Sequence, residues 1–294
     1  MTDAPVAVLG AGTMGIGVAA DLLLHGHGVI LIDPDPAARR RAATAVRQAV
    51  RFAPLARPAF RRAGLPAPDA MDRLALAAPV EAAQDCTFVI ENVTEERAVK
   101  AEVYGALGAI GRADAVFAAN TSCIPIGWLG EISGRPAQTL GVHFMNPAYL
   151  QTTVEVIPSA ATDAACIARW SAFLGSLGKE SVVVADVAGF VSSRISHVMI
   201  NEAARVAREG VASPAEIDRI FRDCHRHALG PFQTADLIGI DTVVRALAVL
   251  HAEHGLPHYA PDSELRAKVD AGRLGRKTGG GFYDYPPPPA DGEP

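Results

Sequence analysis

Ser122, His143 and Glu155 are the side chains of this 294-residue chain whose types and positions suit proton transfer. Each is tied to a short apolar run. Asn120-Thr121-Ser122-Cys123 closes one run and Gly141-Val142-His143-Phe144-Met145-Asn146-Pro147 closes another, while Thr153-Val154-Glu155-Val156 sets one acid among apolar neighbours. A carboxylate on an adjoining strand can grip one imidazole nitrogen and fix the tautomer, leaving the other nitrogen as proton acceptor. Any one of these residues alone reads as structural. Gathered at strand ends beside a glycine-rich loop, they read as a catalytic set.

That loop opens the chain. The apolar run Val6 to Leu9 leads into Gly10-Ala11-Gly12-Thr13-Met14-Gly15, then a helix pattern, then a second apolar run, Val29 to Ile32, that stops at Asp33. Gly10 permits the tight turn, Gly12 lets backbone approach a pyrophosphate and Gly15 allows close helix–strand packing. Thr13 and Met14 complete the cofactor loop at the helix N-terminus, whose free N–H groups favour phosphate. Asp33 is placed to accept from a ribose 2′-hydroxyl and would repel a 2′-phosphate, so NAD is expected rather than NADP. Arg39 and Arg40 are the neighbours that argue the other way.

The elements that must position these groups follow from the pattern. Further strands are expected at Phe88–Glu91, Val116–Asn120, Thr139–Phe144, Val154–Ile157 and Ser181–Val184, alternating with helical stretches. That alternation indicates an α/β fold, a Rossmann-type, mostly parallel sheet with helices on both faces. From Asp186-Val187-Ala188-Gly189-Phe190 onward the strand signals stop and helix-period stripes such as Ile195, Val198, Met199, Ala203 and Val206 take over. The expected division is a nucleotide-binding domain over 1–185, a smaller all-helical domain over 186–285, and a disordered Pro-rich tail over 286–294. In open α/β sheets ligands bind beyond the carboxyl ends of the strands, which points Ser122 and His143 into the same crevice.

Composition narrows the class of partner. A net charge of −5 gives no global reason to expect nucleic acid or a membrane surface. No apolar run is long enough to span a bilayer, and no signal-peptide pattern precedes the first strand. Cys86, Cys123, Cys166 and Cys224 form no CxxC pair, so a reduced, cytoplasmic protein is expected. The histidines around Cys224 and at 251, 254 and 258 lack ligand spacing, and no metal is expected. Residues 37–73 hold nine arginines against Asp69 and Asp72. They read either as a solvated helical excursion or as a docking surface for phosphates or an acidic carrier protein.

From Val6 to Tyr285 the chain resembles the L-3-hydroxyacyl-CoA dehydrogenase family, which includes the 3-hydroxybutyryl-CoA dehydrogenases. The matching pieces, in order, are GAGTMG, VIENVTEERAVK, NTS, GVHFMNP, VEV, GF, NEA, LGPF, DLIGID and GRLGRKTGGGFYDY. The resemblance implies NAD as cofactor, His143 as catalytic base, Glu155 as its partner carboxylate and Ser122 as a hydrogen-bond donor to the substrate oxygen. It implies cofactor contacts at Glu95, Lys100, Asn120, Ser122 and Asn146, with Asp33 on the adenosine ribose. It further implies reversible oxidation of a 3-hydroxyacyl thioester, with acyl-CoA as default substrate and a helical domain that closes over it and forms a homodimer.

Four departures from the family pattern stand out. Ser193 occupies the place of an active-site asparagine; serine is shorter and lacks the amide donor. One turn later His197 replaces an apolar residue, either at a surface or interface or as part of a more polar acyl pocket. Residues 51–68 replace a lysine-rich hairpin and carry Pro54, Pro58, Pro66 and Pro68, which are expected to shorten or kink its helices. Cys123, where relatives commonly have a serine, reads as a small buried filler. These departures keep two alternatives open: the same chemistry on an acyl-carrier-protein thioester, such as glyceryl oxidation for a polyketide extender unit, and a non-catalytic dinucleotide-binding protein. The 6-phosphogluconate-type dehydrogenases share the opening fingerprint but work through a lysine, and rank below.

Overall fold

The computed structural model describes residues 4–62, 64 and 69–286. Pro66, Pro68 and residues 287–294 of the Pro-rich tail therefore lie outside the described residues. The chain divides into two compact units, Met1–Asp186 and Val187–Pro294.

In the first unit the strands are β1 (Val6–Leu9), β2 (Val29–Ile32), β3 (Leu74–Ala77), β4 (Phe88–Glu91), β5 (Val116–Ala119), β6 (Thr139–His143), β7 (Thr153–Pro158) and β8 (Glu180–Val183). Among the described residues they form one sheet in the order β3-β2-β1-β4-β5-β6-β7-β8. Every residue of β1, β4, β5 and β6 is buried. Short, largely apolar runs of this kind suit strands covered on both faces, as in a Rossmann sheet. The intervening helices are α1 (Thr13–Leu24), α2 (Pro36–Ala56), α3 (Pro58–Arg62), α4 (Arg97–Ile110), α5 (Ile126–Ser133) and α6 (Ala164–Ser176).

Three local features depart from the pattern reading. The edge strand β3 has no counterpart among the expected strands; its Leu-Ala-Leu-Ala sequence is partly exposed and lacks β-branched residues. β7 runs antiparallel to β6, whereas the other strand pairs are parallel. α2 is not shortened by Pro54, which falls in its last turn; the helix closes there with Arg57 N–H donating to the Ala53 carbonyl at 2.8 Å. At its other end Asp35 caps α2 by accepting from Ala37 and Ala38 N–H, with Pro36 at the first helical position.

The second unit contains α7 (Ser192–Arg208), α8 (Pro214–His225), α9 (Pro231–Ile238), α10 (Ile240–His254) and α11 (Ser263–Asp270). Its core is Ile200, Ala204, Phe232, Val243, Leu247 and Leu265 among others. Ser213 and Glu216 form a capping box at the start of α8.

Candidate active site

The strand order reverses between β1 and β4, and the loops that leave the carboxyl ends of these two strands frame a crevice. Gly10 has φ +91°, and a Cβ there would stand 2.5 Å from the Asn92 carbonyl oxygen. A Cβ on Gly15 would run into the Gly10 carbonyl. Beside Gly12, by contrast, a Cβ would meet nothing within 4 Å. The outer glycines are thus required for packing, and the middle one faces open space of the kind a pyrophosphate fills. α1 begins there without a side-chain cap or an acid in its first turn, so its N–H groups face a ligand unopposed.

This space continues into a cavity of about 820 Å³ bounded by Gly10 to Met14, Asp33, Arg41 and Asn92 to Thr94. Asp33 accepts from Ala11 N–H at 2.8 Å and from Asp35 N–H at 2.9 Å, which fixes the carboxylate at the rim. The Arg39 guanidinium is turned onto the carbonyl oxygens of Asp33 and Pro34.

At the other side of the crevice Ser122, His143 and Glu155 make one hydrogen-bonded line. Ser122 Oγ lies 3.0 Å from His143 Nε2, and His143 Nδ1 lies 2.8 Å from Glu155 Oε2. The two rear members are 7% and 8% exposed, so the imidazole is held away from bulk water while Nε2 points at the serine. β6 ends on His143 and β5 ends just before Asn120, which brings both groups to the carboxyl edge of the sheet.

A second set of contacts fixes the loop that carries Ser122. Glu95 Oε1 accepts from the Thr121 hydroxyl, from Ser122 N–H at 2.9 Å and from Cys123 N–H at 3.2 Å. Its other oxygen lies 3.4 Å from Lys100 Nζ. Lys100 is fully buried and also binds both oxygens of Glu91, at 2.7 and 2.8 Å. Burial pushes the Glu91 carboxyl up, against the opposing pull of Lys100. Lys100, expected at a cofactor contact, thus has a fully buried side chain and reaches the loop that carries Ser122 through Glu95. Asn120 is a bridge, donating to Asn92 Oδ1 at 2.7 Å and accepting from Phe144 N–H at 3.1 Å, so it ties together the turns after β4 and β6. Asn146 is exposed on the loop that follows β6.

In the second unit Ser193 lies buried in the first turn of α7, and its carbonyl oxygen is 2.6 Å from His197 Nδ1. His197 is 6% exposed, which rules out the surface position. Pattern reading missed the buried polar residues that organise this unit. Asp218 accepts from Phe232 and Gln233 N–H and from the Tyr283 hydroxyl. Asp236 accepts from Phe282 and Tyr283 N–H and from the Tyr285 hydroxyl. Asn201 donates to the carbonyls of His258 and Ala260. The NEA stretch therefore joins α7 to the segment before α11, LGPF joins α9 to α8, and DLIGID and GGGFYDY join α9 to the last described residues. Among the described residues no three His, Cys, Asp or Glu side chains gather as a metal site, and no helix is long and apolar enough to cross a membrane.

Comparison with known proteins matches this architecture. The 3-hydroxyacyl-CoA dehydrogenase NAD-binding domain matches residues 5–187, and the C-terminal domain of the same family matches residues 189–285. A probable 3-hydroxybutyryl-CoA dehydrogenase of Bacillus subtilis is 36% identical over 95% of this chain and 96% of its own length. One from Deinococcus radiodurans is 37% identical over 95% of this chain and 99% of its own. The crystal structure of Mycobacterium tuberculosis FadB2 superposes with a TM-score of 0.88 at 32% identity, covering 96% of this chain and 99% of that one. That of (S)-3-hydroxybutyryl-CoA dehydrogenase PaaH1 from Ralstonia eutropha gives 0.84 at 34% identity, with 96% and 99% covered. The chain is an NAD-dependent oxidoreductase acting on a CH–OH group. It belongs to the 3-hydroxyacyl-CoA dehydrogenase family.

Proposed function

We propose that the chain interconverts 3-hydroxyacyl-CoA and 3-oxoacyl-CoA with short acyl chains, using His143 as the base. The observation that carries this reading is the Ser122–His143–Glu155 line at the carboxyl edge of a dinucleotide-binding sheet. NAD, when bound, accepts the C3 hydride. His143 Nε2 takes the proton of the 3-hydroxyl, and Ser122 Oγ donates a hydrogen bond that orients the substrate oxygen. Glu155 holds Nδ1–H and stabilises the imidazolium as it forms. Gly12 and the start of α1 receive the pyrophosphate, Asp33 accepts from the adenosine ribose, and the loop bearing Asn146 meets the nicotinamide end.

A second reading keeps this chemistry but moves the acyl group to a carrier protein. It is favoured by Arg40, Arg47 and Arg51, which stand exposed along α2 and suit either CoA phosphates or an acidic carrier surface. The family reading also carries a homodimer in the cytoplasm, and the exposed Ile195 and Ile220 of the helical unit are side chains a second copy would cover. NADH formation from 3-hydroxybutyryl-CoA, run beside glyceryl loaded on an acyl carrier protein, separates the two substrates. Turnover of the CoA ester supports the first reading; turnover of the carrier-bound substrate alone replaces it with the second.

A further inference from the structure

Lys179 precedes β8 and has no part in the chemistry above, yet its side chain is completely buried. Its ammonium makes three contacts, each at 2.8 Å: the Asp21 Oδ2 atom and the carbonyl oxygens of Ala148 and Gln151. Asp21 is itself 1% exposed and sits on α1, the helix that grows out of the glycine loop. Both carbonyls belong to the loop between β6 and β7, the same loop that presents Asn146.

The loop is fastened at several further points. Phe144 N–H donates to Asn120, and Glu180 N–H donates to the Thr152 carbonyl at 2.7 Å. Ala148 rests on Gly17 of α1, where an added Cβ would already be 3.4 Å away. A buried charge pair is costly to desolvate and is a weak source of stability. Here it does something a hydrophobic pair could not: a point charge with three donors gathers two carbonyls of an irregular loop and references them to α1.

We propose that Lys179, paired with Asp21, is a positioning residue that fixes the Asn146-bearing loop relative to the glycine loop and so sets where the nicotinamide end of the cofactor lies before His143. This rests on the reading that the loop after β6 meets that end of NAD.

The test compares two ligands on purified full-length protein. NADH spans both loops; ADP-ribose keeps the adenosine and both phosphates but lacks the nicotinamide. In Lys179→Met the dissociation constant for NADH is expected to rise about tenfold or more, as misplacement of one reacting end does, while that for ADP-ribose stays within about twofold. Because Lys179→Met strands a buried carboxylate, the double variant Asp21→Asn/Lys179→Met removes both charges and is measured alongside. Equal losses for the two ligands, or no loss for NADH in the folded double variant, overturn the proposal. Asn146→Ala, run in parallel, separates it from the site reading. A selective NADH loss in the Lys179 variants without one in Asn146→Ala leaves the positioning role standing on another atom of the loop. A selective loss in Asn146→Ala alone discards the role of Lys179.

Discussion

Glu155 stands opposite His143 in the register of β6 and β7, with its Oε2 2.8 Å from the ring Nδ1. The antiparallel pairing is what makes this contact, since directly opposed residues on antiparallel strands bring their side chains to the same face. Glu155→Gln keeps the shape and removes the charge. The imidazolium then loses its stabilising partner in the transition state. The kcat for oxidation is expected to fall by about tenfold or more while NADH binding stays within about twofold of the parent. A parental kcat would separate Glu155 from the base.

His143→Ala removes the proton acceptor but touches none of the groups around Gly12. Turnover is expected to fall by on the order of 10²–10⁴-fold, with NADH binding within about twofold of the parent. Near-parental turnover would end its assignment as base.

Asp33 both lines the cofactor cavity and holds the Ala11 N–H. Asp33→Asn retains an acceptor for that N–H and loses the charge that repels a 2′-phosphate. The preference for NAD over NADP is expected to narrow, measured as the ratio of the two kcat/KM values. Asp33→Ala also frees the glycine loop and is expected to weaken both cofactors. An unchanged ratio in Asp33→Asn would remove selectivity from this carboxylate.

Asp218 is fully buried and receives two backbone N–H groups and the Tyr283 hydroxyl. Asp218→Ala leaves these donors without their acceptor, and a loss on the order of 3 kcal/mol is expected in denaturant unfolding of the helical unit. Gly230→Ala should act in the same direction, because its Cβ would collide with Asp218. Parental stability in both variants would show that the joint is dispensable.

Burial pushes the thiols of Cys86 and Cys166 up to about 11, with Asp85 adding to the effect at Cys86. Few thiolates exist there at neutral pH, whereas Cys224 is exposed. Brief alkylation at pH 7.5 is expected to mark Cys224 and spare Cys86 and Cys166, read by peptide mass mapping. Early modification of either buried thiol would contradict this.

Much of this arrangement was legible from residue order, for reasons that differ element by element. The glycine loop and Asp33 are read together because tight turn, helix start and acid occur at fixed offsets. The direction of β7 was not read, yet the nine residues between His143 and Thr153 are too few for a helical crossover and required a reversal. The burial of Lys100 was also within reach. It shares a helix face with Tyr104 and Leu107, both buried, and Glu91 ends an otherwise apolar strand. β3 was out of reach, because four partly exposed residues alternating leucine and alanine carry little strand signal. The triple acceptor role of Asp218 was equally hidden: its partners lie from 14 to 65 positions away in the chain, and no local pattern reports them.

The grip of Glu95 on the turn after β5 has a chemical corollary. A serine beside an imidazole and a carboxylate is also the apparatus of acyl transfer, and thioesters are ready acyl donors. Such a reaction needs backbone donors to receive a tetrahedral oxyanion. The N–H groups of Ser122 and Cys123 on that turn already point at a carboxylate. These two donors are thereby withheld from an oxyanion at Ser122, which works against cleavage of a thioester by its hydroxyl.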